Sequence, residues 1–144
     1  MVKRYCVDGV NPTGGRFNHV AEINKGGQVF YLAGQTAGRP DGNVAKDFKG
    51  QAEQVYKNIV DVLKGCGMTL DNVAKTTTYL VNPDDMATWR EVSQKAFGNV
   101  VPASTLLFIS RLARPEYLIE VDVIAAKDCA RPHFVPKTSA RARL

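Results

Sequence analysis

The chain has 144 residues, 44% hydrophobic and 23% charged, an ordinary globular composition with enough material for one substantial core, so one domain is expected. No window approaches the ~20 uninterrupted apolar residues of a membrane span, and the opening MVKRYCVDGV lacks the apolar core of a signal peptide, so the expected location is the cytoplasm. The formal charge of +5 is uneven: from Asp128 onward Arg131, Lys137, Arg141 and Arg143 stand against one acid, net +3, which leaves +2 for residues 1 to 127 and no basic nucleic-acid surface in the body.

Residues 16 to 24 (RFNHVAEIN) place Phe17, His19, Ala21 and Ile23 on one side of an extended chain, and QVFYLAGQ from Gln28 is a second run of β-formers. Lys25-Gly26-Gly27 between them predicts a β-hairpin, because glycine accepts positive φ. TAGRPDGNVAKD reads as a loop. From Asp47, a suitable N-cap, Ala52, Val55, Ile59, Val62, Leu63 and Cys66 recur at helical spacing, and Gly65 and Gly67 are suited to ending that helix. Residues 73 to 82 (VAKTTTYLVN) form a strand. Pro83-Asp84-Asp85 opens a second helix with Met86, Trp89, Val92, Ala96 and Phe97 on one face and Gly98 as its stop. Two strands, 104 to 112 and 117 to 126, follow around a turn at Ala113-Arg114-Pro115-Glu116.

The order is β-β-β-α-β-α-β-β, an α+β fold with a six-stranded mixed sheet and two helices on one face. The domain is expected over residues 1 to 127, and residues 128 to 144, with two prolines and no apolar period from Arg131 on, form a basic tail, disordered or packed on a neighbour. The chain has no further helix for the other sheet face, so a second copy is the expected cover, with a small-molecule groove between subunits. Cys6, Cys66 and Cys129 are odd in number, distant and without C-x-x-C spacing; they read as reduced thiols, not a disulfide framework or zinc site.

Glu120 and Asp122, two apart on a strand, face the same side, with Ile119, Val121 and Val123 opposite. On pattern alone this is a half-exposed strand with a solvated acidic face, on which Asp122 would keep Glu120 protonated longer. His19 shares the Phe17 face, where it would bond a substrate or serve structure, and His133 lies in the tail; neither has the partners of a metal site. Arg39, Arg111 and Arg114 either draw anionic metabolites or maintain solubility. Ser104 and Thr105 lack an adjacent base, and no G-x-S-x-G, phosphate loop or dinucleotide fingerprint is present.

Leu32-Ala33-Gly34-Gln35, Val73-Ala74-Lys75-Thr76-Thr77, Met86-Ala87-Thr88 with Ala96-Phe97, Pro102-Ala103-Ser104-Thr105 and Ile119-Glu120-Val121-Asp122-Val123-Ile124-Ala125 together resemble the RidA (YjgF) family over roughly residues 15 to 127. The resemblance implies a chorismate-mutase-like fold, a homotrimer with a cleft at each subunit interface, no metal and no organic cofactor. It implies hydrolysis of reactive enamines and imines such as 2-aminoacrylate: an arginine forks onto the substrate carboxylate, and a glutamate places the attacking water. Residue by residue, it makes Glu120 the catalytic candidate and Phe17, His19, Gly34, Arg90, Ser104 and Thr105 the substrate-binding candidates. Ser104 stands where the family's P-A-R-S motif has arginine, Phe17 where it has a tyrosine, and Arg90 where it has an asparagine. A hydroxyl cannot neutralise a carboxylate or hold it in two places. Arg90 either supplies that charge from the helix or lies on its solvated side beside Glu91.

The resemblance, with these departures, implies a cofactor-free imine, enamine or aminomuconate-like acid deaminase, not ordinary 2-aminoacrylate deamination. The alternative is a metabolite-binding or sensor trimer without chemistry. RNA binding through the tail is disfavoured by the near-neutral body and the lack of a base-stacking platform.

Overall fold

The structure is a computed structural model that describes residues 2 to 129; the expected basic tail, His133 included, lies outside the described residues from 130 onward. Six strands and two helices run in the order β1 (Val2–Tyr5), β2 (Val20–Ile23), β3 (Gly27–Tyr31), α1 (Phe48–Gly65), β4 (Val73–Leu80), α2 (Met86–Phe97), β5 (Ala103–Phe108) and β6 (Ile119–Asp128).

The strands divide into a four-stranded sheet, β3-β6-β4-β5, and a two-stranded β1-β2 unit, instead of the single six-stranded sheet expected. In the larger sheet β6 is antiparallel to β3 and β4, while β4 and β5 are parallel. Asn18 ties the small unit to it: its backbone N–H donates to the Pro102 carbonyl (3.2 Å), its side-chain amide donates to the Val101 carbonyl (2.7 Å), and it forms an isolated bridge with Ala103. One bridging residue is too little for a continuous ladder, so the sheets stay distinct.

The hairpin expected across Gly26-Gly27 is also corrected. The chain does reverse there, with the Gly27 N–H donating to the Asn24 carbonyl (2.9 Å), but β2 pairs with β1 and β3 pairs with β6. Turn chemistry sets the change of direction only; the ten-residue β6 gives β3 a partner in a large sheet, from Gly27–Asp128 to Tyr31–Ile124. β5 ends at Phe108 because its partner β4 ends opposite it at Leu80, short of the expected residue 112.

α1 begins where Asp47 accepts the Gly50 N–H (2.8 Å), which satisfies one of the donors a helix start leaves free. Ala52, Val55, Ile59 and Leu63 are fully buried along its stripe, while Val62 stays exposed and Cys66 is half-buried. Full burial of Ile59 or Leu63 contributes about 1.5–3 kcal/mol each. Before α2, Asn82 caps a short 3-10 turn, Pro83–Asp85, by accepting the Asp84 N–H. Buried Gln51 joins three segments: its amide donates to the Ala45 and Glu116 carbonyls (2.8 Å each), and its carbonyl accepts the Leu118 N–H (2.9 Å).

Alternation along β4 and β6 sets two unlike faces. Thr76, Thr78, Leu80, Ile119, Val121 and Val123 lie buried against the helices, whereas Lys75, Thr77, Tyr79, Glu120, Asp122 and Ile124 point to the other side and are only partly covered. Tyr31 on that second face is 78% exposed.

Candidate functional site

On the helix side a cavity of about 430 Å³ opens between α2, the start of β5 and the loop before β2. β4 and β5 bring Thr76 and Ser104 side by side at its floor, where the Thr76 hydroxyl donates to Ser104 Oγ (3.2 Å). Ser104 therefore keeps its own proton for a ligand. Trp89 and Arg90 come from α2, with Gln94 one helical turn beyond Arg90 on the same face. The Trp89 indole N–H is committed inward, donating to the Tyr56 hydroxyl (2.9 Å), so its ring serves as wall and not as donor. Burial raises the Tyr56 hydroxyl's pKa, and its ring meets Phe97 edge-on at 5.8 Å.

The loop contributes Phe17 and Arg16. Gly14 and Gly15 both have left-handed φ, +62° and +73°, and Thr13 secures the turn: its hydroxyl accepts the Gly15 N–H and its carbonyl accepts the Arg16 N–H, 3.3 Å each. The Arg16 guanidinium lies over Gly14, 3.6 Å from where a β-carbon there would stand. Arg16 and Arg90 make no ion pair among the described residues, and no acid is among the residues lining the cavity.

The opposite face holds an acidic cluster. Glu120 and Asp122 project from β6 beside Tyr79 of β4, whose hydroxyl donates to Asp122 Oδ2 (3.2 Å). Burial and then the Asp122 charge raise the pKa of Glu120, and the same two carboxylates, Asp122 first, raise that of Tyr79. Gly34 lies directly against the cluster: a β-carbon there would collide with Glu120 Oε1 and approach Asp122 Oδ1 to 2.9 Å, so the carboxylates keep this position only against a glycine.

The expected site residues thus fall into groups. Phe17, Arg90 and Ser104 meet in the cavity; Arg90 lines it while remaining exposed to solvent. Glu120 and Gly34 meet on the other face, and Thr105 lies there too, accepting a hydrogen bond from Lys75 Nζ. His19 joins neither group: its Nδ1 accepts the Val7 N–H (3.1 Å) and its Nε2 donates to the Asn11 carbonyl (2.9 Å), which pins the N-terminal loop. The three cysteines are free, with Cys6 and Cys129 exposed. Of the remaining arginines, Arg111 donates to the Leu112 and Ala113 carbonyls and Arg114 pairs with Glu116.

Arg16, Gln94 and Tyr79 were not singled out by sequence reasoning. The Gly-Gly pair before Arg16 signals a tight turn that fixes the next side chain, and Gln94 at four residues from Arg90 shares its helix face. Tyr79 carries no such signal, because its neighbourhood with Asp122 depends on strand register. Among the described residues no group of three or more His, Cys, Asp or Glu is placed to hold a metal, and no helix is long and apolar enough to cross a membrane.

Residues 10–127 match the family model described as Endoribonuclease L-PSP. The chain is 38% identical over 106 residues to a RutC family protein of Pyrococcus horikoshii, which spans 72% of this chain and 83% of the relative. It is 26% identical over 115 residues to the 2-iminobutanoate/2-iminopropanoate deaminase of Mus musculus, covering 78% of this chain and 82% of that one. The crystal structure of a Rid family protein from Yersinia pestis, of unknown function, superposes with a TM-score of 0.79 at 27% identity, covering 88% of this chain and 98% of that chain. Fold, family model and relatives agree, and the chain belongs to the RidA/YjgF family, the Endoribonuclease L-PSP family of that model.

Proposed function

We propose that the protein is a cofactor-free deaminase, a hydrolase of a small imine, enamine or aminomuconate-like acid, working in a cleft between the subunits of a homotrimer, and that 2-aminoacrylate is not its ordinary substrate. The observation that carries this reading is Glu120, a carboxylate of raised proton affinity held against Gly34. A protonated imine is electrophilic enough for water to add to its carbon once a base removes the water's proton. Glu120 would take that proton and return it to the nitrogen of the tetrahedral adduct; the C–N bond then breaks as the hydroxyl oxygen forms the ketoacid's C=O, and the hydroxyl proton leaves with the ammonia as ammonium. A carboxyl group whose pKa is lifted toward the working pH suits both transfers. The electron-poor end of the site would be the cavity, where Arg90 and Ser104 bind the substrate's acid group.

Glu120 and Ser104 lie on opposite faces of one sheet, so a single chain does not present both to one substrate. The proposed cleft resolves this by laying the exposed face of one copy, with Tyr31 and Leu107, against the cavity side of the next. The deamination test supplies 2-aminoacrylate and an aminomuconate-like acid, each generated enzymatically, and follows ketoacid and ammonia. Little acceleration is expected with the first. With the second, Glu120→Gln should lower turnover about 10²–10⁴-fold, the range for a lost acid–base group. Full activity on 2-aminoacrylate would overturn the exclusion. Sedimentation of Leu107→Glu should shift a trimer toward monomer, with loss of turnover; an unchanged trimer would count against the cleft.

The missing arginine at Ser104 favours one second reading, a metabolite-binding trimer without chemistry. There a ligand raises the melting temperature, and Glu120→Gln has no turnover to remove.

A further inference from the structure

We infer that the cavity is a two-point anion clamp, with Arg16 and Arg90 each holding one acid group of a compact, flat dianion such as an unsaturated dicarboxylate. As an account of substrate class this rests on the proposed deaminase reading; as an account of what the cavity binds it stands independently. Arg16 and Arg90 line the cavity from different elements, a glycine turn and a helix. Neither has an acidic partner among the described residues, and within the single chain the lining holds no carboxylate to balance them. A single carboxylate occupies one planar fork of donors and leaves the second charge uncompensated, whereas a dianion answers both. Arg16 is positioned and not merely present: consecutive left-handed glycines and the Thr13 hydroxyl fix the turn, and its guanidinium lies over the bare Gly14. The lining also holds the rings of Phe17, Trp89 and Phe97, which favour a planar, apolar ligand body. The floor adds the free Ser104 proton, and a serine there keeps open the space an arginine would fill.

The test is a matched pair of six-carbon dienes: muconate, with a carboxylate at each end, and sorbate, with one. Calorimetric titration of the full chain should give muconate at least tenfold tighter binding than sorbate, with the steeper loss on adding salt. Arg16→Gln and Arg90→Gln should each bring muconate down to the sorbate level. Arg16→Lys, which retains charge without the fork, should fall between. Unchanged circular dichroism and melting temperature would separate these effects from misfolding. Equal binding of the two dienes, no binding of either, or an unaltered preference in Arg16→Gln overturns the clamp. Muconate binding with no turnover of any amino-diene acid would sink the deaminase reading and leave the clamp intact, while turnover without the muconate preference would do the reverse.

Discussion

Along β6, neighbouring residues go to opposite sides of the same sheet and meet unlike surroundings: Val121 and Val123 are packed under α1, while Glu120 and Asp122 remain half-covered beside Tyr79. The helix-covered side is buried and mostly apolar, and at its margin Arg16 and Arg90 line a cavity without acids. The uncovered side has its acids clustered and adds exposed Tyr31 and Leu107. One side therefore holds the buried core and a cavity lined by arginines; the other holds the carboxylates, with Lys75 on the same face, and is only partly covered within the chain. A sheet that separates a base from an anion-binding cavity makes assembly a requirement of the proposed chemistry.

The sharpest way to break this contrast is to damage the covered side alone. Ile59→Ala, in the fully buried stripe of α1, should cost about 2–5 kcal/mol in urea unfolding, through lost burial and a residual cavity, while turnover per folded molecule stays close to the parent's. A matching loss of turnover in the folded fraction would mean that the core and the site are coupled. Gly34→Ala acts on the other side. Its new β-carbon meets the end of the Glu120 side chain, which can swing away, so unfolding should change by less than about 1 kcal/mol. Displacing the base should nevertheless lower turnover on the order of 100-fold. Equal activity with Ala at this position would remove Glu120 from the mechanism.

The smallest effect is electrostatic. Burial and Asp122 raise the folded pKa of Glu120 above its unfolded value, so its stabilising contribution is fully present below the unfolded pKa and is lost as pH rises through the folded one. At about pH 7 the ionised Glu120 is therefore a liability, and Glu120→Gln should raise stability there by a few tenths of a kcal/mol, reduced by partial solvent exposure. The gain should vanish below about pH 4, where the parent is neutral as well. A melting curve in which Glu120→Gln is less stable at pH 7 would contradict the desolvation of that carboxylate.

The helices were legible because a buried stripe imposes a period on local sequence, as Ala52, Val55, Ile59 and Leu63 illustrate. Asp47 likewise signals a helix start by its own chemistry. Strand partners were not legible. Gly26-Gly27 announces a reversal, yet whether β3 pairs backward with β2 or across with β6 depends on β6, almost a hundred residues downstream in the chain. The site divides in the same way. Alternation around Glu120 told which neighbours share its side, and Ser104 and Arg90 stood out against the family pattern. That Glu120 and Ser104 face opposite ways follows only from the registers of β4 with β5 and β6, since parity on one strand says nothing about another. Arg16 was hidden because its importance comes from the turn before it.

Gln51 has a consequence in time as well as in space. Its one side chain holds the segment before α1 through Ala45 and the segment before β6 through Glu116 and Leu118, regions that have little regular structure of their own. When that side chain lets go, all three bonds break together. The amide of Leu118, protected by a side chain 67 positions away instead of by a strand ladder, should then exchange its hydrogen at the rate set by this one opening event. Two loops far apart in the chain thereby share a single clock.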